Sequence, residues 1–163
     1  MQEIIKIDTE DKSFLSSLKN QCYMLNSDLD DNYCTSFINN ANKENKIALF
    51  YGQNAILKAK QHKASGVVVE LKQDKLKSQM DALKKELGKD SIIGLISRNR
   101  RHEAMLTSEL EPDFIIFKVW AEGIDKTIEL LDWYNDFFII QSCAWLEDKN
   151  IDISQIKADF IVK

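Results

Sequence analysis

Glycine and proline are scarce in this chain, at 5 and 1 of 163 residues. That scarcity excludes collagen-like repeats, Gly/Ser linkers and Pro-rich disordered segments. The three cysteines, Cys22, Cys34 and Cys143, are odd in number and widely spaced, and no CxxC pair exists. Neither a disulfide framework nor a zinc site is suggested. His62 and His102 have no partner at metal-ligand or triad spacing, and there is no GxGxxG or P-loop. The longest apolar runs, near Phe114–Ala121 and Phe137–Leu146, are interrupted by Lys118 and Gln141. Both fall far short of the roughly 20 residues a membrane helix requires. Lys+Arg number 22 against 26 Asp+Glu, a net charge of −4, which leaves no electrostatic footprint for nucleic acid. The first residues show no basic stretch leading into an apolar core. The expectation is a cytoplasmic protein with reduced thiols and with neither nucleic acid nor membrane as partner.

What the chain does contain is one domain's worth of apolar residues: 44% are hydrophobic. A chain of this length buries roughly 70% of its unfolded surface, so residues 1–163 are read as a single domain. Short runs rich in β-branched and aromatic residues recur at Ile4–Ile7, Ile47–Tyr51, Val67–Leu71, Ile92–Ile96, Phe114–Trp120, Phe137–Ile140 and Phe160–Val162, with a weaker one at Cys22–Leu25. Continuous apolar runs of this length suit parallel strands buried on both faces. Between them lie stretches with helical spacing. In Asp74–Leu87, residues Leu76, Met80, Leu83 and Leu87 share one face, with Asp74 as candidate N-cap and Gly88 just past the end. Arg101–Leu110 stops before Pro112. Ile124–Trp133, Asn54–His62 and Phe14–Leu18 read as helices, and Tyr33–Ala41 as a weaker one.

Alternation of strand and helix implies βαβ units and a parallel sheet. With Cys22–Leu25 counted, there are eight strands, enough for a small (β/α)8 TIM-barrel-like fold below that fold's usual size of about 200 residues or more. Without it, an open doubly wound sheet or an incomplete barrel is the alternative.

Four stretches carry a family resemblance. Gln53-Asn54-Ala55-Ile56-Leu57-Lys58-Ala59 is followed by Ala64-Ser65-Gly66-Val67-Val68; Gln73-Asp74 is followed by Leu76; Ile92-Ile93-Gly94-Leu95-Ile96-Ser97 is followed by Glu103-Ala104 and Pro112-Asp113-Phe114; and ten residues run from Phe117 to Lys126. In order and spacing these resemble the thiamine phosphate synthase family (thiamine-phosphate pyrophosphorylase, TenI-like). Its members are (β/α)8 enzymes that join a thiazole phosphate to an aminopyrimidine diphosphate. The resemblance runs from about Ile47 to Lys163 and fades in the first forty residues.

The departures bear on activity. In the family, two acidic residues after strands three and four hold Mg²⁺ on the diphosphate. Here the first is Asn54, a poorer ligand for a hard cation, and Asp74 stands at the second. The family's phosphate cradle is a Gly-Gly after strand seven. The corresponding stretch is read as Gln141-Ser142-Cys143-Ala144-Trp145, which has no glycine to let backbone N–H groups approach an anion. The glycine after strand six is Lys118, and the family's Arg and Lys after strand two have no counterpart in Leu25–Asp28. The resemblance therefore implies a divergent synthase-like transferase with weak or lost joining activity. Its metal ligands would be Asp74 and Asn54, its catalytic residues Ser97 and Lys126, and its cofactor Mg²⁺. The alternative is a non-catalytic phosphate-ligand-binding or assembly protein on the same scaffold.

Read without the family, Arg98, Arg100, Arg101 and His102 cluster where a βα loop should lie. The three arginines and Lys118 are candidates to bind the phosphate of a small ligand, against a solvated loop and first helical turn. Lys118 is read either as a mouth lysine or as a buried partner of Glu70. Asp113 is read as a turn residue. Trp120 and Trp145 are expected to plug the barrel mouth, or else to stack on a ligand. Because the eighth strand ends the chain without a helix, its outer face beside the first strand is expected to be an exposed apolar strip, and a homodimer to cover it.

Overall fold

The alternation closes on itself. A computed structural model describes residues 1–163 as strands β1 (Gln2–Ile7), β2 (Cys22–Asn26), β3 (Ile47–Tyr51), β4 (Gly66–Val69), β5 (Ile92–Ser97), β6 (Phe114–Val119), β7 (Gln141–Leu146) and β8 (Phe160–Val162). All neighbours are parallel, in the order β1 to β8, and β8 pairs back onto β1 through Gln2 with Phe160 and Ile4 with Val162. The fold is a (β/α)8 barrel. The helices are α1 (Ser13–Ser16), α2 (Asp31–Lys43), α3 (Ala55–His62), α4 (Leu76–Leu87), α5 (Arg101–Glu109) and α6 (Ile124–Phe137). Economy explains the small size. The first helix is one turn, and the β7–β8 connection holds only a 3-10 turn at Ile153–Gln155.

Strand periodicity sorts side chains into two cores. Ile4, Met24, Leu49, Val68, Ile116, Cys143, Trp145 and Val162 fill the barrel. Alternate residues such as Tyr23, Leu25, Phe50, Ile93 and Leu95 pack outward against the first four helices. Ile115, Phe117, Val119 and Ala144 do the same against α6. The weak run at Cys22–Leu25 is a full barrel strand, paired with β1 and β3.

Strand seven differs from the sequence reading. Phe137–Ile140 is the more apolar run, yet β7 is Gln141–Leu146. The stripe of α6 continues through Leu130, Leu131 and Tyr134, and Phe138 stacks on Tyr134 at 4.8 Å. This extends the helix to Phe137 and leaves Phe137 and Ile139 at the N-terminal rim, 72% and 97% exposed. In the next residues the polar side chains find partners. Ser142 donates to Asn135, while Cys143 and Trp145 face the barrel. Gln141–Trp145 is thus the strand itself, and the loop after it is Glu147–Asp159, which also lacks glycine.

Asp74 does not cap α4. Lys75 occupies that position in the left-handed conformation, without a side-chain cap. The seam at β8 is also not the exposed strip expected from the sequence. Ile161, on its outer face, is 1% exposed. Ile151, Ile153, Ile156 and Ala158 of the β7–β8 connection fold back over the neighbouring α6 cluster in place of a helix. The outer face of β8 therefore offers no apolar strip at Ile161 for a second copy to cover. No helix is long and apolar enough to cross a membrane.

Candidate functional site

In a βα barrel, residues at the C-terminal ends of the strands share one mouth. Here the top layer is built around Trp145, an inward residue of β7 that is 4% exposed. Tyr51, at the end of β3, meets its ring edge-on with centroids 5.3 Å apart. Two lysines lie over the same indole. Lys118 Nζ from β6 is 4.9 Å from the ring centroid, and Lys6 Nζ from β1 is 5.5 Å away. Ammonium groups over an indole face are held by the ring's quadrupole. Each also has one carboxylate. Lys118 pairs with Glu147 at 3.2 Å, and Lys6 with Asp8 at 3.4 Å. The Trp145 Nε1–H is buried and has no hydrogen-bond partner.

Two cavities flank this centre. One of about 680 Å³ is lined by Tyr51, Val68, Glu70, Ile96, Lys118 and Trp145, and reaches Ile56 and Leu83 on α3 and α4. Another of about 480 Å³ is lined by Lys6, Asp8, Glu147, Lys163 and Ile151. At the edge of the first, Gly52 turns with φ of +107°. There the Ser27 hydroxyl accepts the Asn54 N–H at 3.1 Å, and a Cβ on Gly52 would stand 2.6 Å from that hydroxyl. The β2 and β3 ends are locked together this way.

Of the residues assigned catalysis, phosphate or metal from the sequence, only Lys118 lines the mouth cavity. Its ion-pair partner is Glu147 rather than Glu70, although Glu70 lines the same cavity. Ser97 has the outward parity of Ile93 and Leu95. It is buried, and its hydroxyl donates to the Arg98 carbonyl at 2.9 Å. Lys126 is exposed in the first turn of α6. The arginines are not brought together. Arg98 is exposed, Arg100 faces Glu103 at 3.8 Å, and Arg101 lies 5.2 Å over the Trp133 ring. Asn54 and Asp74 are exposed outside the cavity lining. No group of three His, Cys, Asp or Glu side chains gathers as metal ligands. At the mouth Asp8 and Glu147 are each paired with a lysine, and that arrangement does not fit a divalent cation. Trp120 sits exposed on the rim, whereas Trp145 is the plug. Asp113 accepts the Ile93 N–H at 2.7 Å, as a turn residue would.

Lys6 was missed from the sequence. The signal was there: two residues after inward Ile4 in a strand, its parity points into the barrel. His62 was also read as unpartnered. The structure sets its Nδ1 3.3 Å from Thr35 Oγ1 and its Nε2 3.3 Å from Asp31 Oδ1, with Lys58 on the same carboxylate. This chain of groups lies between α2 and α3, outside the barrel, and its members are 27 and 31 residues apart in sequence. The cysteines are quiet thiols. Burial pushes Cys22 up to about 12 and Cys34 to about 11, and raises Cys143 as well.

No family model matches the chain, and no curated protein does. Solved structures do. Thiamine phosphate pyrophosphorylase from Pyrococcus furiosus superposes with a TM-score of 0.74 at 11% identity, covering 99% of this chain and 84% of that one. A tryptophan synthase alpha-subunit from the same hyperthermophile gives 0.72 at 9% identity, over 99% and 86%. A tryptophan synthase from M. tuberculosis, in an aminoacrylate-bound form, gives 0.69 at 10% identity, over 99% and 82%. At these identities the likeness is one of fold.

Proposed function

We propose that this chain is a thiamine-phosphate-synthase-like barrel that binds a small phosphorylated ligand at its C-terminal mouth, with joining of thiazole phosphate to aminopyrimidine diphosphate weak or absent. The observation that carries this reading is the pair Lys6 and Lys118 over Trp145. An ammonium group in a largely apolar cavity, with a second over the same indole, suits an anionic head on an apolar body. The likeness to thiamine phosphate pyrophosphorylase supports the scaffold, and fold alone does not carry chemistry across. Three unpaired cysteines support a cytoplasmic setting.

Two measurements test the reading. Inorganic phosphate and pyrophosphate should raise the melting temperature in a saturable way, with or without Mg²⁺, because a ligand that binds only the folded state stabilises it. A coupled assay with both synthase substrates and Mg²⁺ should show turnover far below the order of 10 per second typical of enzymes. Turnover near that value, or no response to either anion, overturns it.

A further inference from the structure

We propose that the buried Nε1–H of Trp145 and the ammonium groups of Lys6 and Lys118 form one oxyanion-binding centre, in which a ligand's phosphate or carboxylate oxygen accepts the indole hydrogen. The proposal deepens the ligand-binding reading above and rests on it for the ligand's place at the mouth. It does not use the three arginines, none of which lines either cavity.

Three observations carry it. First, the indole N–H is a donor without an acceptor inside a closed structure. Buried polar groups are nearly always paired, and a buried Trp normally finds a partner for its single donor. An unmet donor at the C-terminal end of a barrel strand marks a place where an acceptor from outside belongs. Second, two positive charges converge on the ring that carries the unmet donor. Lys6 and Lys118 come from β1 and β6, on the two sides of β7, and both reach the same ring. Third, Trp145 lines one cavity, and its neighbours Leu146 and Glu147 line a second. Lys118 lines the one it shares with Tyr51, and Lys6 lines the other.

The donors are of the right kind. An ammonium has three hydrogens on a flexible four-carbon stem. Each lysine now spends itself on one carboxylate, Asp8 or Glu147. Each can keep that partner and turn a second hydrogen to an anion at the indole edge. The carboxylates hold the lysines in place and also set a limit: with Asp8, Glu147 and Glu70 nearby, a group of low charge is favoured over a highly charged one. The ligand class is therefore a small molecule with one oxyanion head and an apolar body that fits over Val68 and Ile96.

The test is a titration of ¹⁵N-labelled protein with inorganic phosphate at constant ionic strength, following the indole N–H resonances. There are 3 tryptophans, Trp120, Trp133 and Trp145, and the Trp145→Phe variant assigns the third peak. The Trp145 resonance should move and saturate while the other two stay still. Lys6→Gln and Lys118→Gln should each weaken that response at least tenfold, and Arg100→Gln should leave it unchanged. A parallel titration with acetate separates the sources of the oxyanion. If acetate moves the peak and phosphate does not, the centre stands and the phosphate reading above falls. If calorimetry shows saturable phosphate binding while the Trp145 peak does not move, the centre is wrong and the earlier reading stands. If neither anion binds, both are overturned. Where Trp145→Phe fails to fold, Trp120→Phe and Trp133→Phe assign the remaining peak by elimination, and the wild-type titration still decides the matter.

Discussion

The ring of Phe114 fills the space that a side chain at Gly94 would need. The two residues are register partners on β5 and β6, and an ideal Cβ on Gly94 would lie 2.5 Å from Phe114 Cζ. Gly94 is thus a packing residue of the lower barrel, where Phe114 also meets Phe160 at 5.9 Å.

Gly94→Ala should therefore lower unfolding free energy by about 1–3 kcal/mol, the usual range for overpacking a closed core. Urea denaturation measures it. Pairing the change with Phe114→Leu should recover part of the loss, because the smaller side chain vacates the contested volume. A Gly94→Ala variant as stable as the parent would show that the ring is free to move.

Ile139→Ser should change stability by no more than about 0.5 kcal/mol, the range for surface positions. Its side chain is 97% exposed at the rim. The same substitution in a barrel strand would cost several times more. A large loss in guanidinium denaturation would return Phe137–Ile140 to strand seven and contradict the present register.

The α2–α3 clamp should be acid-sensitive. Hydrogen bonds from Lys58 and His62 hold the Asp31 carboxyl below its usual value of 3.8. A carboxylate lowered on folding adds stability above its unfolded pKa, and that stability is lost as pH falls through the folded pKa. The melting-temperature gap between the parent and Asp31→Asn should be full at neutral pH and close below about pH 4. A gap that persists unchanged at pH 2 would assign the effect to something other than the ionised carboxylate. The exposure of Asp31 makes the gap small.

A thiol reagent at pH 8 should find the cysteines slow in the folded protein and all three fast in denaturant. Burial raises Cys22 to about 12 and Cys34 to about 11, so the reactive thiolate is scarce. Rapid labelling of Cys143, the innermost of them, would show that the barrel opens on that timescale.

Much of the architecture was legible in local pattern. β-branched runs and amphipathic stretches alternate because strand and helix bury their apolar side chains at different periods. That periodicity is written into Ile47–Tyr51 or Leu76–Leu87 without reference to anything distant. Pro112 stopping α5 and Gly88 closing α4 are equally local. The candidate site was less legible. Ser97, Asn54, Asp74 and Lys126 were chosen by their resemblance to a motif, and the fold leaves them outside the cavity lining.

What only the tertiary structure decided is which neighbours share a surface. Phe137–Ile140 reads as a strand by composition, yet the packing of Tyr134 and Phe138 on the barrel extends the helix through Phe137 and moves β7 four residues on. Lys6, Lys118 and Trp145 lie far apart in sequence, and barrel closure alone places both ammonium groups over one ring. Hydrophobic period is a property of one segment. Convergence at the mouth depends on the stagger of eight strands at once, and no single segment encodes it.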